Sequence, residues 1–363
     1  MHFKIKKSDL LWALSLVLPA VEKRSSMPIL QNVLLRTDGK DALLIAGTNL
    51  NMSVTATVHS VGDIKEPGDI TVVAATLLTS IKGQPGDEIE VYTEEGHKVV
   101  LKTAMSKHTL HGLNARDFPR LPTVTGLDLR EVDSAPIIAA MKTVRHAVCT
   151  DMTREALASL YLEPVGKKIR AVSTNGHRMA KFEISGELPS EVLIPTTAIQ
   201  TVLTALEQAA KVQIAKKADS LFIVADGVTT MVRLSSASFP PFDQVIPKSW
   251  TIVSTIEKAS ALAAACSRIE PSTSAKTHRS DVSLGKKRIL IKYENPDIGS
   301  GEEMISTLDH EGEDLAMGLN ITYLKQALAE VGDAEVKLCC NGDLDPILIK
   351  SGDFMGVVMP MRP

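Results

Sequence analysis

The polar cluster Thr174-Asn175-Gly176-His177-Arg178 contains the residues best suited to chemistry. A histidine beside an arginine could serve as a general base next to an anion-binding group. No serine, cysteine or carboxylate stands at a readable spacing from this pair, and Asn-Gly is a common tight-turn sequence. We therefore expect a turn that presents polar groups at a binding surface. An enzyme that uses His177 and Arg178 is the alternative.

Other patterns that resemble catalytic or metal sites have simple structural interpretations. The chain contains no GxGxxG, Walker A or GxSxG pattern. Gly166-Lys167-Lys168 and Gly285-Lys286-Lys287 lack the upstream glycine and the following Ser or Thr of a phosphate loop, so both predict hairpin turns. His108 and His111 lie in an alternating stretch that predicts a strand, which would point their rings to opposite faces. We predict no cofactor and no metal site.

The composition is that of an ordinary globular protein. The 363 residues are 44% hydrophobic and 23% charged, which excludes wholesale disorder and fibrous repeats. The 40 basic and 43 acidic residues give a net charge of −3, which excludes a chain coated in positive charge but allows a local basic face. Because the four cysteines are too few and too scattered for a disulfide framework, a reducing cytoplasm is expected.

The N-terminal segment imitates a secretory signal. Lys4, Lys6 and Lys7 precede an apolar run at 10–18 that is too short to span a membrane. Similar segments recur twice further along the chain. We therefore expect a buried helix of a cytosolic protein with no membrane segment, capped by Ser8 or Asp9.

The chain repeats itself in three similar thirds. Apolar helical segments that open with serine are predicted at 8–22, 134–149 and 254–269, after short alternating runs at 3–5, 127–129 and 251–253. Second helices are predicted at 74–83, 196–208 and 320–331, and each is followed by hairpin-like strands. This order predicts an α+β protein of three tandem domains, 1–124, 125–249 and 250–363, in which two apolar helices lie against largely antiparallel sheet.

Five phrases closely resemble the β subunit family of bacterial DNA polymerase III, the sliding clamps. They are MPIL at 27–30, GTNL at 47–50, DFP at 117–119, TNGHR at 174–178 and VVMPMR at 357–362. The resemblance implies a protein that tethers an enzyme rather than acting as one. Two chains would join head to tail into a ring with helices inside and sheets outside, and duplex DNA would thread the hole without sequence recognition.

The resemblance also implies partner proteins. They are the polymerase III alpha subunit, the clamp loader delta subunit and other proteins with a clamp-binding motif. The chain departs from well-known clamps at Ala75-Thr76, Thr196-Thr197 and Glu155-Ala156, where basic or aromatic residues are common. A clamp-like paralogue that binds partners without serving the main replicase is therefore an alternative.

The resemblance assigns two sets of residues to DNA and to the second chain. The residues expected to face DNA are Lys23, Arg24, Lys82, Lys142, Arg145, Lys258, Arg268 and Lys325. The residues expected at the dimer interface are Lys107, His108 and Leu110 of one chain with Ile269, Glu302 and Glu303 of the other. The alternatives are that the basic residues only solvate their helices, and that His108 and Leu110 pack within their own domain.

A third set is expected to form a groove for a short, partly hydrophobic peptide. It joins an exposed apolar C-terminus to the middle domain. Its residues are Leu157, Thr174, Gly176, His177, Arg178, Met179, Pro240, Val245, Val357, Val358, Met359, Pro360, Met361 and Arg362. Gln244 stands where some clamps have arginine, so one rim contact is expected to differ. The alternative is that 357–359 is only an edge strand.

Overall fold

The structure is a computed structural model that describes residues 1–59 and 62–362. Six α-helices occur in this part of the chain: α1 (Lys7–Val17), α2 (Ala74–Gly83), α3 (Ser134–Val144), α4 (Ile199–Leu206), α5 (Ala259–Ile269) and α6 (Ile321–Val331). Together with extensive antiparallel sheet they confirm the predicted α+β class.

The strands of the first half of the chain are β1 (His2–Lys6), β2 (Asn32–Asp38), β3 (Ala42–Thr48), β4 (Met52–Val58), β5 (Gly62–Glu66), β6 (Asp69–Val73), β7 (Glu88–Glu94), β8 (Lys98–Lys102), β9 (Lys107–Leu113), β10 (Arg130–Asp133), β11 (Ser159–Val165), β12 (Lys168–Thr174) and β13 (Arg178–Ser185). The strands of the second half are β14 (Val192–Pro195), β15 (Lys211–Lys217), β16 (Ser220–Ala225), β17 (Val228–Arg233), β18 (Ile252–Ile256), β19 (Arg279–Leu284), β20 (Arg288–Asn295), β21 (Gly299–Ser306), β22 (Asp309–Glu311), β23 (Leu315–Asn320), β24 (Val336–Cys340), β25 (Ile347–Ser351) and β26 (Phe354–Val358).

The chain forms two compact units that do not coincide with its three repeats. The first unit contains Met1–Ala135 and Thr197–Leu234, and the second contains Pro136–Thr196 and Ser235–Pro363. The middle of the chain is therefore divided between them. The domain boundaries expected from the repeats remain a prediction.

The first unit is built on one sheet of 13 strands, in the order β10-β15-β16-β17-β4-β3-β2-β6-β9-β8-β7-β1-β5. Within this sheet β4 pairs antiparallel with β17, and Val54 lies opposite Thr230. This seam joins the first repeat to the second half of the middle repeat. Helix α1 packs against α2, β3 and β4. Lys7 fixes the helix pair, because its Nζ donates to the carbonyls of Lys82 (3.0 Å) and Gln84 (2.7 Å) at the C-terminal end of α2.

The second unit contains a nine-stranded sheet, β14-β11-β12-β13-β26-β25-β24-β18-β22, and a four-stranded sheet, β21-β20-β19-β23. A second seam joins β13 to β26, with Arg178 opposite Val358 and Ala180 opposite Gly356. Strand β26 is also paired with β25, so it lies inside the sheet. The alternative that 357–359 is only an edge strand is therefore wrong.

Helices α5 and α6 pack on each other in the second unit, and α6 also covers β25 and β26. Leu262, Leu324 and Leu328 are fully buried between these layers. Burial of each such side chain contributes about 1.5–3 kcal/mol. Gly356 lets the layers approach closely, because a Cβ at this position would lie a tight 3.2 Å from the Cβ of Ala327 on α6.

Three local predictions about the repeats are wrong. Ser8 and Asp9 do not cap α1, because the helix starts at Lys7, whose N–H donates to the Asp87 carbonyl (2.8 Å). Ser254 does not open a helix, since it lies in β18, where pairing with β22 and β24 overrides helix propensity. The strand expected at 127–129 begins instead at Arg130.

Candidate functional site

The TNGHR sequence forms the predicted turn between β12 and β13. The side-chain oxygen of Asn175 accepts hydrogen bonds from the backbone N–H groups of His177 (2.9 Å) and Arg178 (3.0 Å). Gly176 takes φ of +89°, which favours glycine. Thr174 Oγ1 donates to the Arg178 carbonyl (2.7 Å) and closes the turn. The turn leaves His177 exposed to solvent.

Arg178 is held by the protein itself. Its guanidinium donates to the backbone carbonyl of His146 and to Oε1 of Gln326, and it stacks on the ring of Tyr323. Desolvation by burial lowers the pKa of Arg178. Both terminal nitrogens of the guanidinium already have acceptors and its Nε is buried, so Arg178 is not placed to bind an anion beside His177. The arrangement therefore offers no support for the enzyme alternative.

His146 is the second half-buried basic side chain beside this turn. Its Nδ1 donates to the Thr143 carbonyl (3.0 Å). Burial, together with the positive charge of Arg178, lowers the pKa of His146 to about 4. The imidazole is therefore neutral near pH 7, so Arg178 has no second buried positive charge beside it.

The C-terminal segment after β26 runs along the turn. The Met359 N–H donates to the His177 carbonyl (2.9 Å), and the Met361 N–H donates to the Gly318 carbonyl (2.8 Å). The side chain of Met359 is 38% exposed. These two backbone bonds fix the segment next to the turn.

The expectation that the whole apolar C-terminus is exposed is wrong for its first two residues. Val357 and Val358 are 2% and 1% exposed, because β26 is paired on both sides and covered on both faces. Met179, another expected groove residue, is 3% exposed. Met179 and Val357 belong to a core cluster with Val172, Cys339 and Leu348. These residues can support a groove from beneath, whereas Met359, Met361 and Arg362 can contact a ligand.

A segment at 239–250 crosses the face of this cluster. Phe239, Phe242, Ile246 and Trp250 pack on the core residues. On the same segment Pro240 is half-buried, while Gln244 and Val245 are exposed. The crossing segment, the TNGHR turn and the residues 359–362 are all parts of the second unit, and we refer to them together as the tail groove.

Sequence reasoning missed two residues at this site. Arg154 donates from Nη1 to the carbonyl of Asn175 (3.1 Å), and its guanidinium lies 3.0 Å from the position that a Gly176 Cβ would take. Tyr323 carries the stacked ring and accepts a hydrogen bond from Asn175 Nδ2 (3.4 Å). Neither residue lies near the turn in the sequence, so no local pattern could have found them. Leu157, which was expected, is half-buried.

The expected DNA-facing residues fall into two classes. Seven of them are exposed: Lys23, Arg24, Lys82, Lys142, Arg145, Lys258 and Arg268. Arg268 is ion-paired with Glu303 (2.7 Å), and the half-buried Lys325 is ion-paired with Glu270. Burial alone would raise the pKa of Glu270, but hydrogen bonds from Lys325 and Thr322 outweigh it and the pKa is lowered. Arg268 and Lys325 are therefore each held by a carboxylate of the chain itself, whereas the other six side chains lie at the surface.

The expected interface residues lie on β9 and around β21. His108 is exposed and Leu110 half-buried on β9, while Lys107 is ion-paired with Glu94 (3.3 Å). Glu302 pairs with Lys292 (3.3 Å). Ile269 does not fit the expectation, because it lies on the inner side of α5 and is only 3% exposed. The exposed residue at this end of α5 is Arg268.

No helix within 1–59 and 62–362 is long and apolar enough to cross a membrane. The same ranges contain no group of three or more His, Cys, Asp or Glu side chains placed to hold a metal ion.

Three family models match the chain in order. They describe the N-terminal domain of the DNA polymerase III beta subunit over residues 1–122, the central domain over 131–241 and the C-terminal domain over 243–362. A curated protein of Pseudomonas putida named "Beta sliding clamp" is 29% identical, with all of both chains covered. A protein of the same name from Caulobacter vibrioides is 27% identical, also with both chains covered fully.

Solved structures agree with these matches. The crystal structure of the DNA polymerase III subunit beta from Pseudomonas aeruginosa is 28% identical and superposes with a TM-score of 0.91, covering all of both chains. A sliding clamp structure from Bacillus subtilis has a TM-score of 0.93 over all of this chain and 99% of that one. At 21% identity the second likeness shows the fold alone.

Proposed function

Because the chain belongs to the DNA polymerase III beta subunit family, we propose that two copies join head to tail into a ring around duplex DNA. The named relatives are sliding clamps, so the chain is a processivity factor rather than an enzyme. The ring would tether the replicative polymerase during processive synthesis. We place the protein in the cytoplasm, where bacterial DNA is replicated.

The pattern of strand seams carries this proposal. Each repeat has two groups of three consecutive strands, and in four of these six groups the third strand forms a seam with another repeat. Strand β4 pairs with β17, and β13 pairs with β26. The same positions in the remaining groups are taken by β21 and β9. A β21–β9 seam between two chains would complete the series.

Both strands have backbone groups available for such a seam. Strand β21 is an edge of its four-stranded sheet. Strand β9 pairs with β6 only at Gly112 and Leu113, so among the described residues Lys107–His111 are paired on one side only, with β8. Unpaired strand edges bind other strands through main-chain hydrogen bonds. Met304 on β21 (53% exposed) and the half-buried Leu110 on β9 add apolar contact.

The exposed basic residues fit a sliding contact with DNA. Lysine and arginine bind phosphates without reading sequence, and such contacts exchange readily. With a net charge of −3, the chain as a whole does not attract DNA strongly. We propose that Lys23, Arg24, Lys82, Lys142, Arg145 and Lys258 face the duplex.

We propose that the tail groove receives the clamp-binding segment of partner proteins. The partners are the polymerase III alpha subunit, the clamp loader delta subunit and other proteins that carry the motif. The exposed side chains of Met359 and Val245 offer an adaptable apolar surface. Because one groove per chain accepts one peptide, polymerase and loader should compete for it.

The test of the ring is retention on closed circular DNA. The protein is loaded by a clamp loader on nicked circular plasmid, freed of loader and then separated by gel filtration. A ring should stay with the circle and leave when a restriction enzyme linearises it. Equal retention on circular and linear DNA would rule out topological binding. Sedimentation should give a mass near twice 39.1 kDa, whereas a monomer would contradict the dimer.

A further inference from the structure

A second cleft lies in the first unit and has no part in the functions proposed above. Its volume is about 630 Å³, within the range of ligand sites in proteins. One wall is the segment 115–125, and the other is formed by side chains of β2, β3, β4 and β17. All of these residues belong to the first unit.

The cleft repeats the construction of the tail groove. In the second unit, Phe239 and Phe242 of a crossing segment pack on the sheet beside the β13–β26 seam. In the first unit, Phe118 of the segment 115–125 packs on Leu34 and Ala46, with Leu44 and Leu121 beside them. Thr55 of β4 and Thr229 of β17 line the cleft, and they lie opposite each other across the β4–β17 seam. The cleft therefore stands at the end of the first repeat where the tail groove stands at the end of the middle repeat.

The charged side chains that line the cleft all have one sign. They are Arg36, Arg116 and Arg120, and no Asp or Glu is among the lining residues. Arg36 is paired with Asp69 outside the cleft (3.3 Å). Arg116 and Arg120 are exposed and form no ion pair within the described part of the chain. The wall therefore has two guanidinium groups ready for carboxylates.

We propose that this cleft binds a short acidic peptide segment of a partner protein, with an apolar side chain inserted against Leu34, Leu44 and Phe118. The arginines select negative charge, and the apolar floor requires a ligand with apolar side chains. A nucleic acid backbone satisfies the first requirement but not the second. Since the two sites share no residue, one chain could bind one peptide in each.

The test uses the full-length protein and a fluorescein-labelled hexapeptide, Asp-Glu-Leu-Asp-Phe-Glu. Fluorescence polarisation measures its affinity, and a second version with benzophenone in place of the Phe ring is photo-crosslinked and mapped by mass spectrometry. The test variant is Arg116→Glu with Arg120→Glu. The matched control is Lys40→Glu with Lys98→Glu, which has the same charge change at exposed positions of the same unit outside the cleft.

We expect the test variant to bind the hexapeptide at least tenfold more weakly and the control to bind like the unaltered protein. Crosslinks should map to 115–125 or to β2–β4. Crosslinks confined to 357–362, equal affinity in the test variant, or no binding to the unaltered protein would overturn the proposal. Displacement of the peptide by short duplex DNA, but not by excess unlabelled hexapeptide, would overturn it in favour of a nucleic acid ligand. None of these outcomes bears on retention on circular DNA, so the two proposals fail separately.

Discussion

The guanidinium carbon of Arg178 lies 4.3 Å from the centroid of the Tyr323 ring. Arg178 begins β13 and Tyr323 lies in the first turn of α6, so this contact ties the strand of the TNGHR turn to a helix of the last repeat. The same guanidinium donates to His146 and Gln326. A flat, forked cation is needed for all three contacts at once, and lysine cannot supply it.

Arg178→Lys should lower the free energy of unfolding by about 2–4 kcal/mol, since a stacked cation and charged hydrogen bonds are lost in a desolvated place. Urea denaturation followed by circular dichroism measures this loss. Arg154→Lys is the matched control, because Arg154 is exposed and donates one hydrogen bond to a backbone carbonyl at the same turn. It should cost less than about 1 kcal/mol. Equal stability of the two variants would contradict the role given to Arg178.

His146 should make the stability of the protein depend on pH. Its pKa is about 4 in the folded protein, because burial and Arg178 disfavour the charged ring, against an ordinary value of 6.5. Between these values the unfolded chain binds a proton that the folded protein does not. The contribution of His146 is therefore complete above about pH 6.5 and is lost as the pH falls to about 4, by about 3 kcal/mol in total.

The measurement compares the unaltered protein with His146→Gln, whose side chain does not titrate. The difference in unfolding free energy between the two should shrink as the pH is lowered from 7 to 4. Curves that stay parallel over this range would show that His146 is not responsible.

Deletion of 359–363 should abolish binding of a fluorescein-labelled clamp-motif peptide, because it removes the exposed Met359, the half-buried Met361 and the backbone contacts to His177 and Gly318. The melting temperature should change little, since Val357 and Val358 remain in the core. Deletion of Pro363 alone keeps both backbone contacts and every residue of the tail groove, and it is the control. Undiminished peptide affinity after the longer deletion would exclude this segment from the site.

Replacement of Lys23, Arg24 and Lys82 by glutamine should flatten the salt dependence of DNA binding. Each lost phosphate contact reduces the magnitude of the negative slope of log affinity against log salt by about 0.9. For the triple variant the magnitude of the slope should therefore fall by about 3. Lys325→Gln should leave the slope unchanged, because Glu270 already holds Lys325. If only Lys325→Gln changed the slope, the assignment of Lys23, Arg24 and Lys82 as the DNA contacts would be wrong.

Leu110→Asp and Met304→Asp should each weaken the dimer by about 10- to 100-fold, because each places a charge in the apolar part of the proposed β21–β9 seam. Met105→Asp is the control, since Met105 is 85% exposed just before β9. Sedimentation at several concentrations measures the dissociation constant. Dimers unaffected by either substitution would exclude this pair of edges.

The local features of the fold were predictable from the sequence. Helix α2 covers 74–83 as expected, and the hairpins β7–β8, β15–β16 and β24–β25 lie where alternation and turn residues predict them. Both signals are local, because side-chain period and glycine preference depend on a few neighbouring residues. The TNGHR turn was predicted for the same reason.

Features that depend on distant pairing were not predictable. The burial of Val357 and Val358 follows from the seam between β13 and β26, whose partners are far apart in the sequence. The inward position of Arg178 depends on Tyr323 and Gln326, which no motif connects to the turn. The predicted N-terminal cap of α1 was wrong because the first helical N–H, that of Lys7, donates to the distant Asp87 carbonyl instead of to a nearby side chain.

The division of the middle repeat between the two compact units limits how the chain can be cut. A fragment that follows the repeats would break the β4–β17 or the β13–β26 seam and leave a long strand without its neighbour. Such bare strands recruit other chains, so isolated repeats should aggregate when expressed alone. Melting should likewise release the middle repeat together with its neighbours. We therefore expect the two compact units, rather than the three repeats, to unfold cooperatively.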